Sequence, residues 1–89
     1  MVNVISTGNT MNLWSGCAIY SSPSEEGKRR QVTLGILATI NGKMHGITVA
    51  HVFESVGDEV FTLIGENFVL VGKVSKMCDD IDICLIELF

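Results

Sequence analysis

Short apolar segments alternate with polar turns along the whole chain, and no stretch carries the 3.6-residue repeat of an amphipathic helix. Six of these segments have the length and the aliphatic, β-branched composition of strands: residues 16–21, 32–40, 43–49, 58–64, 68–75 and 81–88. Short strands spaced by about 8–12 residues favour an antiparallel barrel or a sandwich. The pattern therefore predicts an all-β domain, which we interpret as a six-stranded antiparallel barrel.

The polar segments between these strands carry turn signals. Asn41-Gly42 is the clearest, because both central positions of a type I′ hairpin turn need a positive φ. Residues 22–30 include Pro23 and five charged side chains, which predicts an exposed loop. Residues 1–15 are polar and mixed, and are predicted to be a loose N-terminal arm before the barrel of residues 16–89.

Composition changes this picture in one respect. The chain has 89 residues, of which 47% are hydrophobic, a high fraction for so short a domain. Such chains often cover apolar surface with a partner. The formal charge is −4, and the basic cluster Lys28-Arg29-Arg30 follows two glutamates in the predicted loop. A nucleic-acid partner is therefore not expected, and no apolar run approaches the roughly 20 residues of a membrane span.

Three cysteines at irregular spacing predict no disulfide framework: Cys17, Cys78 and Cys84. Together with an N-terminus that does not resemble a signal peptide, they predict a cytoplasmic location. His45 could be combined with Cys78 or Cys84 as a metal site. However, the chain lacks the paired spacings that zinc sites use, so neither a metal nor a cofactor is predicted.

Two segments carry candidate chemistry. His51 stands where an apolar strand ends and a turn begins, within Gly46-Ile47-Thr48-Val49-Ala50-His51-Val52-Phe53. Asp82 opens an otherwise apolar strand, which is an unfavourable place for a charge unless a donor binds it. A histidine ring N–H is such a donor.

These segments resemble the trypsin-like serine proteases of the chymotrypsin fold. In that family a Thr-Ala-Ala-His motif ends the third strand of the first barrel, and an Asp-Ile-Ala-Leu type motif begins the strand that closes it. Here the first motif matches except at Val49, in Thr48-Val49-Ala50-His51, and the second except at Cys84, in Asp82-Ile83-Cys84-Leu85. The hairpin from Leu34-Gly35-Ile36 through Gly42 is similar to intracellular trypsin-like domains of fungal type. The resemblance covers residues 16–89 and implies the N-terminal barrel of a two-barrel protease.

The resemblance implies that His51 is the general base and that Asp82 orients it. Asp80 is the alternative to Asp82, because three acids stand within four positions. In the family, the second barrel brings the serine in a Gly-Asp-Ser-Gly segment, with the oxyanion hole and the specificity pocket. None of the seven serines here has that setting, and Cys84 is predicted to be a buried, unreactive thiol. The implied activity is that of the His/Asp-bearing half of a serine endopeptidase, inactive alone, whose substrate is a protein or peptide.

The sequence is compatible with three kinds of partner. A second protease barrel, in the same natural polypeptide or in a separate chain, would complete the enzyme. Alternatively, the barrel is a non-catalytic descendant that binds other proteins. In the third case two copies cover each other's apolar face as a homodimer.

Overall fold

The computed structural model describes residues 2–5, residue 13 and residues 15–89, and within them the protein is all-β. Eight antiparallel strands form one sheet: β1 Val2–Ile5, β2 Ala18–Ser21, β3 Gln31–Thr33, β4 Ile36–Ile40, β5 Lys43–Thr48, β6 Glu59–Ile64, β7 Asn67–Cys78 and β8 Ile83–Leu88. Their order across the sheet is β1-β4-β5-β8-β7-β6-β2-β3. A three-residue 3-10 helix, Asp79–Ile81, joins β7 to β8. No helix in this part of the chain is long and apolar enough to cross a membrane.

The strand count differs from the six that the sequence predicts. One added strand, β1, lies within the predicted N-terminal arm and pairs with β4 from Val2↔Ile40 to Ile5↔Leu37. Apart from β1, Leu13 and Ser15, that arm lies outside the described residues. The other addition arises because the predicted strand of residues 32–40 is divided into β3 and β4.

The division between β3 and β4 occurs where the chain changes partners. The N–H of Leu34 donates to the carbonyl of Cys17 at 2.8 Å, continuing the pairing with β2, whereas the N–H of Gly35 donates to the carbonyl of Ile47 on β5 at 2.8 Å. One short segment therefore bonds two strands that are far apart in the sheet order. The sheet curves round on itself and has the character of a barrel.

The core lies on the concave face of this curved sheet. Four aliphatic side chains have no exposed surface: Leu37, Val60, Val74 and Ile86. On β8, buried Cys84 and Ile86 alternate with more exposed neighbours, as the period of two along a strand requires. Burying a side chain of this size stabilises the fold by about 1.5–3 kcal/mol each. The high hydrophobic fraction of the sequence is thus used in part by this core.

The predicted hairpin turn between β4 and β5 is confirmed. Asn41 has φ 52° and Gly42 has φ 80°, so both central residues are left-handed, as a type I′ turn requires. The register from Ile40↔Lys43 to Ile36↔Ile47 follows from this tight connection. The turn therefore fixes which side chains of β5 face the core.

Candidate functional site

His51 lies in a tight turn that begins where β5 ends. Thr48, the last residue of β5, is buried, and its hydroxyl donates to the carbonyl of Thr33 at 2.8 Å. Ala50 is also buried, with 1% of its surface exposed, and its carbonyl accepts the N–H of Phe53 at 3.0 Å. A larger side chain than alanine would have to displace core atoms there. The Thr-Val-Ala segment thus anchors the turn and leaves the His51 side chain 67% exposed.

Asp82 lies immediately after the short 3-10 helix and before β8. Its backbone is left-handed, with φ 54° and ψ 46°, and its N–H donates to the carbonyl of Asp79 at 3.3 Å. Aspartate tolerates this conformation better than most side chains because its short polar group can bond locally. The left-handed turn ends the helix and leads the chain into β8 beside β5.

The structure brings His51 and Asp82 together. Nδ1 of the His51 ring lies 2.7 Å from Oδ2 of Asp82. The other carboxylate oxygen, Oδ1, accepts the backbone N–H of His51 at 2.8 Å and that of Ala50 at 3.0 Å. The carboxylate therefore receives hydrogen bonds at both oxygens from one turn of the chain, which orients the ring as well as its backbone.

These hydrogen bonds favour an ionised Asp82 and select the tautomer of a neutral His51. The hydrogen bond from the His51 side chain holds the pKa of Asp82 below its ordinary value of 3.8, and the backbone N–H groups of His51 and Ala50 act in the same direction. An ionised carboxylate can only accept hydrogen bonds, so Nδ1 of the neutral imidazole carries the proton. Nε2 then has a free lone pair. The arrangement can accept a proton at Nε2 and stabilise the imidazolium that results.

Of the other acids near Asp82, the alternative candidate Asp80 is not the one bound to His51. It lies in the 3-10 helix, is exposed, and makes no side-chain hydrogen bond within the described part of the chain. The choice between the two aspartates is thus made by the left-handed turn, which directs Asp82 toward β5.

Cys84 lies two residues after Asp82 and is buried, with 1% of its surface exposed. Its Sγ lies 3.6 Å from the carbonyl of Val49. Burial, followed by the nearby charge of Asp82, raises the pKa of the thiol to about 11. Such a thiol is protonated at neutral pH and is a poor nucleophile or metal ligand.

The remaining candidates lie away from this pair. His45 is on β5, and its Nδ1 lies 2.9 Å from the carbonyl of Lys43. Among the residues that the structure describes, no three His, Cys, Asp or Glu side chains are grouped to hold a metal ion. Nor does any serine hydroxyl in this part of the chain hydrogen-bond to His51; Ser75, for example, donates to the carbonyl of Leu85 at 3.3 Å.

Sequence reasoning missed one neighbour of the site. Arg30, assigned to an exposed loop, donates from Nη1 to the carbonyl of His51 at 3.4 Å. Beside it, a cavity of about 170 Å³ separates the loop of residues 22–30 from the turn after His51, with Val52 and Glu54 in its wall. The contact joins residues 21 positions apart, and nothing in the spacing of the sequence indicates it.

The turn after His51 has its own anchor. The carboxylate of Asp58 accepts the backbone N–H groups of Glu54 at 2.7 Å and Ser55 at 3.3 Å. The turn that carries His51 is thus fixed by one aspartate on each side, Asp82 and Asp58.

Comparisons of the chain with protein-family models, with curated proteins and with solved structures found no significant match.

Proposed function

We propose that this chain is the His/Asp-bearing half of a trypsin-like serine endopeptidase, with His51 as the general base and Asp82 as its orienting partner. The observation that carries the proposal is the 2.7 Å contact between Nδ1 of His51 and Oδ2 of Asp82. The same carboxylate also accepts the backbone N–H of His51. The two residues are 31 positions apart in the sequence. Their contact orients the ring of His51 as a general base requires when it accepts the proton of a nucleophilic hydroxyl.

The chemistry follows from the tautomer of the neutral His51 ring. Nδ1 of His51 is protonated and bound to Asp82, so Nε2 can take the proton of a serine hydroxyl as its oxygen attacks a peptide carbonyl. The imidazolium that forms lies against the ionised carboxylate. It then gives its proton to the leaving amine, and the base is restored. The exposed ring of His51 leaves room for a substrate and for the nucleophile.

The topology supports the proposed barrel. If β3 and β4 are counted as one bent strand and β1 as an addition, the pairings run from β2 to this strand, then to β5, β8, β7, β6 and back to β2. That is a ring of six strands. Its third strand ends at the turn of His51, and its last strand begins after Asp82. The resemblance stated for the sequence expects both features.

The serine and the oxyanion hole would be supplied by a second barrel, in the same natural polypeptide or in a separate chain. We expect that barrel to meet apolar side chains beside the site. Ile36, Ile47 and Leu85 are neighbours in register across β4, β5 and β8. Ile81 and Ile83, on either side of Asp82, are 64% and 40% exposed. Large apolar side chains so exposed are typical of a surface that a partner covers.

Fluorophosphonate labelling tests the proposal. The natural protein that contains this segment is captured with an antibody against the chain and exposed to the probe, which bonds covalently to an activated serine. Labelling is expected, and it should fall by at least about 100-fold in a His51→Ala variant because the base is lost. His45→Ala is the matched control, since His45 lies on β5 away from the pair, and should label normally.

A folded protein that does not label would contradict the proposal. The exposed isoleucines around Asp82 would then favour the second candidate, a non-catalytic barrel that binds another protein or a second copy of itself. Static light scattering on the pure chain separates these two cases. A mass that doubles with concentration indicates self-assembly, and a constant monomer mass excludes it.

A further inference from the structure

Arg29 is held between two phenylalanine rings on the solvent side of the sheet. The central carbon of its guanidinium is 4.3 Å from the ring centroid of Phe61 on β6 and 4.3 Å from that of Phe68 on β7. Its Nη1 also donates to the carbonyl of Ser21 on β2 at 3.0 Å. Arg29 therefore joins three strands to the loop of residues 22–30. Within the predicted exposed loop, Arg29 is half-buried, whereas Lys28 and Arg30 are exposed.

The physical basis of this contact is specific to arginine. A planar guanidinium can stack on aromatic rings while its edge donates hydrogen bonds, and each cation–ring contact at a partly exposed site is modest but favourable. The ring of Tyr20 packs edge-on against Phe68, with centroids 5.0 Å apart, and supports that wall. All the cation–ring contacts within the described part of the chain belong to Arg29. Arg29 thus anchors the loop to the sheet.

The next residue, Arg30, connects the loop to His51. The backbone N–H of Arg30 donates to Oγ of Ser21 at 3.0 Å, and the N–H of Ser21 donates to the carbonyl of Arg30 at 3.0 Å. These two bonds fasten the base of the loop. From this position the guanidinium of Arg30 reaches the carbonyl of His51 at 3.4 Å.

We infer that Arg29 is a positioning residue for His51. By fixing the loop of residues 22–30 against Phe61 and Phe68, it helps to set the position of Arg30. Arg30 in turn donates to the carbonyl of His51, which lies at the other end of that residue from the backbone N–H that donates to Asp82. The inference rests on the proposed function only in treating His51 as the catalytic base. The connection from Arg29 through Arg30 to His51 involves residues of this chain alone.

The test uses the full chain, labelled with ¹⁵N, and an Arg29→Met variant, which keeps an unbranched apolar side chain and removes the cation. The amide of Ser21 should exchange with solvent about tenfold faster, because two cation–ring contacts no longer hold the loop. The ring ¹⁵N and Nδ1-proton resonances of His51 should move toward those of a free imidazole. Lys28→Met, which removes the neighbouring cation, is the control and should leave both signals unchanged.

Two further variants keep the inference testable if Arg29→Met folds poorly. Phe68→Leu removes one of the two rings at a position that is already 41% exposed, and should reproduce the effect of Arg29→Met in part. Arg30→Gln should move the His51 resonances but leave the Ser21 amide protected, since the backbone bonds remain. Wild-type His51 resonances in a folded Arg29→Met, Phe68→Leu or Arg30→Gln chain would overturn the inference.

These measurements do not need a nucleophile, so the two proposals can fail separately. If the natural protein does not label but Arg29→Met moves the His51 resonances, the catalytic proposal fails and the positioning of His51 stands. If labelling depends on His51 but its resonances ignore Arg29, the positioning inference fails alone.

Discussion

Asp82 binds His51 through both of its carboxylate oxygens. Oδ1 accepts the backbone N–H at 2.8 Å, and Oδ2 lies 2.7 Å from Nδ1 of the ring. The side chain of Asp82 therefore fixes both the backbone position of His51 and the orientation of its ring. A carboxylate that only orients the ring would leave the backbone free to move. The double contact explains how a side chain that is 67% exposed can still have a defined direction.

Replacing Asp82 with asparagine should keep its contact with the backbone of His51 and remove its contact with the protonated Nδ1 of the ring. Asparagine tolerates the left-handed backbone and can still accept the backbone N–H groups, but its NH₂ group replaces the acceptor Oδ2. His51 would then carry its proton on Nε2, and labelling of the natural protein by fluorophosphonate should fall by roughly 10⁴-fold, as in the Ser-His-Asp template. Asp80→Asn is the matched control. Equal losses in both variants would contradict the assignment of Asp82.

The contact between Asp82 and His51 should also make the free energy of unfolding depend on pH. Because His51 and the backbone N–H groups hold the pKa of Asp82 below 3.8 in the folded chain, the unfolded chain binds this proton more readily. The contribution of Asp82 to the free energy of unfolding is therefore complete above pH 3.8 and is lost as the pH falls through the lower, folded pKa. Urea unfolding between pH 7 and 2.5 should show Asp82→Asn losing that pH-dependent part, and Asp80→Asn keeping it. A constant difference between wild type and Asp82→Asn would contradict this.

Features of the fold that depend on neighbouring residues could be predicted from the sequence. The Asn41-Gly42 turn needs positive φ at two adjacent positions, and few residue pairs allow this as well. The all-β class follows from short apolar segments that are separated by turn residues and lack a 3.6-residue repeat. The pairing of His51 with Asp82 was predicted from the resemblance, since it requires the register of β5 and β8, which no local pattern specifies.

Features that depend on distant contacts could not be predicted. The break between β3 and β4 exists because Leu34 bonds to Cys17 and Gly35 bonds to Ile47. A glycine inside a strand pattern indicates a bulge or a close backbone approach, but Gly35 by itself does not identify either partner strand. Similarly, Arg29 reads as an ordinary loop cation, because Phe61 and Phe68 lie more than 30 positions further along the chain. In both cases the deciding partner is remote in sequence.

Close packing of β7 against β8 should make Gly72 intolerant of a side chain. A Cβ at Gly72 would collide with the backbone carbonyl oxygen of Glu87, which cannot move without disturbing the ladder between the two strands. A Cβ at Gly46 would meet the Cδ1 of Leu34 at 2.6 Å, the flexible end of a side chain. Gly72→Ala should therefore lower the free energy of unfolding by about 1–3 kcal/mol, and Gly46→Ala by less. Chemical denaturation of the two variants measures this order, and the reverse order would contradict the packing argument.

The three thiols should differ sharply in reactivity. Cys78 is exposed at the end of β7, whereas Cys17 and Cys84 are buried. Burial and the charge of Asp82 raise the pKa of Cys84 to about 11, so almost none of it is thiolate at pH 7.5, and the thiolate is the reactive form. We expect Ellman's reagent to modify one thiol per chain quickly and the others only after unfolding. Cys78→Ser should remove the fast reaction, and Cys84→Ser should leave it. A fast phase that survives in Cys78→Ser would mean that Cys17 or Cys84 is accessible in the folded chain, and would contradict the burial argument.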